Sequence, residues 1–314
     1  MNYPFLYSDT NKRYHTYSYY LKHRYGGRAV KITLDGGFTC PNIDGTLDTG
    51  GCTFCSAQGS GEFAGDRQAS IPQQFAQVVE KLSKKWDTPR YIAYFQPFTN
   101  TYGPLERLKA AYEQALALPG VVGLAIATRP DCLPEPVLDL LSELSARTDL
   151  TVELGLQTIW EETSRRIHRH HSYEQFLQGY HALTQRGIAV CVHLINGLPG
   201  ETPAQMVESA RQAGKLHPHS VKLHLLHVLK NTQLAKEYAA GDFSLLTREA
   251  YVSIVCDQLE VLPPETVIQR LTGDGKAADL IGPLWSIAKM QVMNEIDKEM
   301  ARRDSWQGKH FSDI

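Results

Sequence analysis

Residues 29–55 read AVKITLDGGFTCPNIDGTLDTGGCTFC. The first six, Ala29 to Leu34, form a short run rich in β-branched residues that predicts a strand. That strand runs into a Gly-rich loop, continuing to Gly65, which carries Cys40, Cys52 and Cys55 as C-x11-C-x2-C. In (β/α) enzymes the chemistry sits at the C-terminal ends of parallel strands, and glycines let a loop wrap a bulky inorganic group. Three thiolates suit a 4Fe-4S cluster, which normally takes four Cys ligands, so three leave one iron open. Zinc would want a fourth Cys or His at recognisable spacing near the loop; none is there, although histidines elsewhere keep zinc in play. Ordinary buried thiols are the bland alternative. That reading fits Cys132, Cys191 and Cys256, which lie singly in apolar surroundings.

Outward from this loop the pattern repeats. Strands are expected at Ala29–Leu34, Tyr91–Phe95, Val122–Thr128, Thr151–Leu156, Ile188–Ile195 and Val221–Leu226, separated by stretches of helical periodicity. Pro72 opens a helix expected to run to Trp86, Pro134 and Pro136 open another, and Thr202-Pro203 opens a third that His217-Pro218 ends. The fold class is therefore α/β, a partial (β/α)6 TIM-like barrel whose missing units leave an open side. Helices are expected around Thr247–Val261 and Ala277–Arg303, with a short apolar run, ETVIQRL, between them. The expected organisation is an N-terminal basic and aromatic extension (1–28), a core barrel (29–230) and a C-terminal extension (231–314).

Composition narrows the function. The 314 residues are 42% hydrophobic and 21% charged, which excludes a disordered chain. With 32 Lys plus Arg against 34 Asp plus Glu, the net charge of −2 gives no global case for a nucleic-acid or membrane partner. No apolar stretch approaches the roughly 18 residues of a membrane span, and the N-terminus has no signal-peptide core, so a cytoplasmic protein is expected. One local exception stands out. From Met1 to Lys31, Lys12, Arg13, Lys22, Arg24, Arg28 and Lys31 face a single Asp9, interleaved with Tyr3, Phe5, Tyr7, Tyr14, Tyr17, Tyr19, Tyr20 and Tyr25. Such a segment can track phosphates and stack bases, or pack its tyrosines as a capping helix.

The three-Cys loop with Phe54 inside its last pair, ELGLQT at 153–158 and HLINGLPGET at 193–202 together resemble the radical S-adenosylmethionine (SAM) superfamily. More closely, the chain resembles the YhcC/YtqA-type proteins, relatives of the radical SAM domain of the Elongator catalytic subunit. Further stretches carry this resemblance: YIAYFQPFTNTYGP (91–104), ATRPDCLP (127–134), VKLHLLHVLKNT (221–232), RLTGDG (270–275) and IGPLWS (281–286). The superfamily's usual spacing is C-x3-C-x2-C, and the wide first gap is a feature of the closer family. The resemblance implies that Cys40, Cys52 and Cys55 ligate a 4Fe-4S cluster whose open iron binds SAM, with electron transfer producing a 5′-deoxyadenosyl radical. It further implies cofactor contacts from Phe54, Gln96, Thr99, Thr128, Glu153, Gln157, Arg169, His193 and Ile195. Of these, Glu153 and Gln157 match an ExGxQ pattern, and Arg169 matches an arginine that meets the SAM carboxylate in relatives. Arg129, Asp131, His224, Arg270 and Asp274 are the substrate-side candidates. His224 and His227 are three apart on an expected strand, hence on opposite faces, and do not suggest a shared metal.

The implied function is a radical SAM enzyme that modifies tRNA at the 5-substituent of the wobble uridine, served by an electron donor such as flavodoxin or ferredoxin. The alternatives are a radical SAM oxidoreductase on a small metabolite or porphyrin, and a non-catalytic cluster or haem carrier.

Overall fold

The structure, a computed structural model, describes residues 5–59, 61, 63–83, 88–273 and 275–312. In chain order the elements are α1 (Tyr17–Tyr25), β1 (Val30–Leu34), α2 (Ile71–Ser83), β2 (Tyr91–Phe95), α3 (Leu105–Leu116), β3 (Val121–Thr128), α4 (Glu135–Ser145), β4 (Asp149–Gln157), α5 (Glu161–Arg166) and α6 (Tyr173–Thr184). There follow β5 (Ala189–Asn196), α7 (Pro203–Gly214), β6 (Ser220–Leu225), β7 (Val228–Leu229), α8 (Gln233–Ala240), α9 (Arg248–Val261), β8 (Val267–Arg270), β9 (Leu280–Gly282), a 3-10 turn (Leu284–Ile287) and α10 (Lys289–Arg302). All six expected strands are present, and the α/β class holds. No helix among the described residues is long and apolar enough to cross a membrane.

The chain divides into two compact units. The first comprises residues 24–155 and 169–190, and its strands β1 to β4 run parallel in sequence order. Register sets Lys31 opposite Ile92, Tyr94 opposite Ala125 and Ala127 opposite Glu153. Helices form where the sequence supplies a cap and an apolar stripe. In α4, Val137, Leu138, Leu141 and Leu144 recur at helical spacing and are buried. In α6, Ser172 and Gln175 close a capping box. Gly179 lets α6 approach the 129–131 loop, since a Cβ there would lie 2.5 Å from the Pro130 carbonyl oxygen.

The second unit comprises the described residues of 1–23, 156–168 and 191–314. Its strands β5, β6 and β8 are parallel, and β7 pairs antiparallel with β9. Thr202 and Gln205 form the capping box that starts α7 with Pro203 in its first turn. Buried Asn196 and Gln258 exchange amide hydrogen bonds of 2.8 Å, tying β5 to α9. The ETVIQRL run becomes β8, a parallel strand beyond the six expected. The single helix expected over 277–303 is instead β9, the 3-10 turn and α10. Pro283, which lacks an amide donor and has fixed φ, separates the first from the rest. The expected helix end at 84–86 lies outside the described residues.

The two chain ends meet inside this unit. The Gln307 side-chain oxygen accepts from the His15 amide (2.8 Å), its amide nitrogen donates to the carbonyls of Pro263 (2.6 Å) and Thr266 (2.8 Å), and the Ile268 amide donates to the His15 carbonyl (2.8 Å). Residues 13–16 are thereby held beside β8.

Candidate cluster and cofactor site

The cysteine loop lies in the first unit, directly after β1. Its eleven-residue gap is folded back on itself by main-chain bonds: Ile43 and Asp44 donate to the Cys40 carbonyl (2.8 and 3.1 Å), Leu47 to Pro41 (2.8 Å) and Gly51 to Asn42 (2.7 Å). The Cys55 amide donates to the Cys52 carbonyl (2.9 Å), forming the tight turn that a C-x2-C pair makes. Cys40, Cys52 and Cys55 are half-buried, whereas Cys132, Cys191 and Cys256 are buried. Burial pushes Cys132 and Cys256 up to about 12, so these two are inert thiols. Cys52 is pulled below the usual thiol range by hydrogen bonding from Cys55, against burial, with Arg129, Asn42 and Arg169 adding to the effect. Cys40 is raised by burial, in part offset by a hydrogen bond from Thr99.

Asn42 is fully buried and its amide nitrogen reaches two acceptors, Cys52 Sγ (3.6 Å) and the Arg169 carbonyl (3.0 Å). Arg169, also fully buried, donates Nε (3.0 Å) and Nη2 (2.8 Å) to the His171 carbonyl. Arg129 donates Nη1 to the Arg169 carbonyl (2.7 Å) and Nη2 to that of His170 (3.1 Å), and grips Asp131 through both Nε (3.0 Å) and Nη2 (2.8 Å). His170 meets Asp48 of the cysteine loop at 2.9 Å. Its φ of 56° is left-handed, a conformation that a side chain adopts at a cost when the surroundings enforce it. His171 donates Nε2 to the Gly155 carbonyl (3.1 Å), which makes it the neutral Nε2-H tautomer; burial, then Arg169 and Arg129, push it down to about 2. The 169–171 segment is thus tied to the cysteine loop by Asn42 and the Asp48–His170 pair, and to the 129–131 loop by Arg129.

The remaining first-unit candidates lie on the strands and their ends. Glu153 on β4, fully buried, takes Lys31 Nζ on Oε1 (2.5 Å) and the Tyr94 hydroxyl on Oε2 (2.6 Å), and Lys31 lies over the Tyr94 ring at 4.8 Å. The Thr128 hydroxyl bonds that of Thr101, which reaches the Cys132 carbonyl (2.6 Å). After β2, the Thr99 amide donates to the Thr39 carbonyl (3.1 Å), next to Cys40, while Gln96 and Phe54 are half-buried. The turn 96–100 is fixed by buried Asn100, whose amide nitrogen donates to the carbonyls of Phe95 (3.1 Å), Pro97 (3.0 Å) and Ala127 (2.9 Å).

In the second unit, Gln157 ends β4 with φ 60°, and His193 and Ile195 are half-buried on β5. Register places His193 beside Lys222, Ile195 beside His224, and Lys222 beside Arg270 at the end of β8. The rings of His193 and His224 are 5.1 Å apart. Asp274 lies outside the described residues. Lys222 escaped sequence reasoning, although a lysine inside the apolar run VKLHLL is a usable signal: lysines are rarely buried without a purpose, and this one is buried. Lys31, Tyr94, Asn42 and Asn100 also went unassigned.

The N-terminal cations meet acids of the same chain. Lys12 pairs with Asp297, Arg13 with Asp304 (3.0 Å), Lys22 with Asp9 (2.5 Å), Arg24 with Asp149 (2.8 Å) and Lys31 with Glu153. Tyr14 is buried, Tyr7 stacks on His15 at 4.5 Å and Tyr20 meets His219 edge-on at 5.1 Å. Packing and internal pairing account for most of this segment; Tyr3 lies outside the described residues.

The cysteine loop fits an iron–sulfur cluster by its donors. It offers three half-buried thiols, Cys52 drawn towards thiolate, with the Asn42 amide donating to Cys52 Sγ. Comparison with known proteins agrees. The Radical SAM superfamily profile matches residues 49–213 and the Radical_SAM C-terminal domain profile residues 218–302. YtqA of Bacillus subtilis is 50% identical over 99% of this chain and 96% of its own length. A tRNA uridine(34) acetyltransferase of Methanocaldococcus infernus is 27% identical over 51% of this chain and 30% of that protein. The solved archaeal Elp3 of Methanocaldococcus infernus superposes with a TM-score of 0.66 at 20% identity, over 89% of this chain and 64% of that one, and shares the fold, a partial parallel barrel. This chain belongs to the radical SAM superfamily, within its YhcC/YtqA-type branch, and its cofactors are a 4Fe-4S cluster and S-adenosylmethionine.

Proposed function

We propose that this protein is a cytoplasmic radical SAM enzyme that modifies tRNA at the 5-substituent of the wobble uridine, with Cys40, Cys52 and Cys55 as the cluster ligands. The observation that carries the tRNA reading is the similarity of half the chain to a tRNA uridine(34) acetyltransferase, supported by the fold shared with archaeal Elp3. When bound, the cluster and SAM supply one-electron chemistry that removes a hydrogen atom from the substrate. The chain's own groups bind and orient. The Gly-rich loop presents three thiols, and Arg129 with Asp131 fixes the 169–171 segment beside it. On the second unit, Lys222 and Arg270 supply two cations and His193 and His224 two imidazoles on β5, β6 and β8, a set suited to an anionic substrate such as a nucleotide.

The test is anaerobic reconstitution with iron and sulfide, followed by SAM, dithionite or reduced flavodoxin, and tRNA from cells lacking the gene. Release of 5′-deoxyadenosine that tRNA stimulates, together with a change in the wobble nucleoside by mass spectrometry, is the expected result. SAM cleavage indifferent to tRNA refutes the substrate; cluster assembly without SAM cleavage refutes the enzyme.

A further inference from the structure

Asn42 stands two residues after Cys40, fully buried, and its single amide nitrogen spans a sulfur and a carbonyl: Cys52 Sγ at 3.6 Å and the Arg169 oxygen at 3.0 Å. Its main-chain carbonyl accepts from the Gly51 amide at 2.7 Å, which fixes the backbone from which the side chain projects. The Arg169 oxygen that aims the amide is itself fixed by Arg129 Nη1 at 2.7 Å. A buried N–H pointed at a ligand sulfur stabilises the more negative, reduced form of an iron–sulfur cluster, and hydrogen bonds to sulfur are among the terms that set its potential.

We propose that Asn42 is a positioning residue that raises the reduction potential of the cluster through its hydrogen bond to Cys52, with Arg129 and the Arg169 carbonyl holding the amide on target. The inference rests on Cys52 being a cluster ligand and is independent of the tRNA reading. An enzyme whose donor is a weak cellular reductant gains from such a bond, because each tenfold in the reduced-to-oxidised ratio at fixed poise corresponds to about 59 mV for a one-electron couple.

The experiment is a redox titration of the reconstituted holoprotein followed by electron paramagnetic resonance, comparing wild type with Asn42→Ala and Asn42→Asp, with iron content measured on each sample. Asn42→Ala removes the donor. Asn42→Asp keeps the shape and replaces the donor by an acceptor. The expected result is unchanged iron with the reduced-to-oxidised ratio falling about tenfold in Asn42→Ala and further in Asn42→Asp. An unchanged potential with intact clusters overturns the proposal. Loss of the cluster from both variants also overturns it, since Asn42 would then only hold the loop together. Cys52→Ala serves as a separate check: full iron retention there removes Cys52 from the ligand set, a failure of the cluster assignment and not of the tRNA reading.

Discussion

Lys31, Glu153 and Tyr94 offer a quantitative test of what holds the first unit together. The Glu153 side chain has no exposed surface and that of Lys31 is 17% exposed, so the pair is desolvated on one side and nearly so on the other. Removing one member of a buried ion pair costs about 3–5 kcal/mol, and the residual exposure of Lys31 places Lys31→Met near the lower figure, about 3 kcal/mol. The hydroxyl bond to a charged acceptor makes Tyr94→Phe cost about 2 kcal/mol. Glu153→Gln keeps an acceptor for Tyr94 while removing the charge. The double variant Lys31→Met/Glu153→Gln should therefore be more stable than the sum of its single effects predicts, with a coupling of about 2 kcal/mol. Equilibrium urea unfolding of the four proteins, in reductant and followed by circular dichroism, gives the cycle. Additivity within about 0.5 kcal/mol would show that the two charges do not depend on each other and would refute the reasoning.

Three further outcomes are expected. Cys40→Ser, Cys52→Ser and Cys55→Ser should each lose most reconstituted iron, whereas Cys132→Ser and Cys256→Ser should keep it; iron loss from Cys256→Ser alone would contradict the site. His171 and His227 are held neutral by burial, at about 2 and about 4, so only the unfolded chain gains their protons as pH falls below 6.5. Stability is present above that pH and declines below it, by about 2 kcal/mol per histidine between pH 7 and pH 5, and His171→Gln should flatten the slope of denaturation midpoint against pH. Asn100→Ala leaves the Phe95, Pro97 and Ala127 carbonyls without their shared donor and should cost about 2–4 kcal/mol in thermal or urea unfolding; a loss below about 0.5 kcal/mol would mean that the 96–100 turn holds without it.

What the sequence made legible follows from range. The strands and the thiol loop are local signals, a β-branched run followed by Cys and Gly, and they survive in the structure nearly residue for residue. Strand β8 was obscured because only Val267 and Ile268 of its four residues are apolar, just after two prolines. Lys31–Glu153 and Lys12–Asp297 join residues 122 and 285 positions apart, so a count of neighbours saw cations opposed only by Asp9 and suggested phosphate contacts. Asn42 sits in plain view in CPN, yet its role depends on where the loop places Cys52 and on a carbonyl 127 residues away. Glu153 and Arg169 were picked out by pattern; the pattern said nothing about Lys31, Tyr94 or the His171 carbonyl as their partners.

The clasp between the chain ends has a consequence for synthesis. The amide that pairs with the His15 carbonyl belongs to Ile268, and the side chain that receives the His15 amide belongs to Gln307, 292 residues later. At about 5–20 residues per second, the N-terminal arm waits about 15–60 s before its partners exist. Slow translation of the stretch between these two segments would lengthen the time for which residues 13–16 go without their partners.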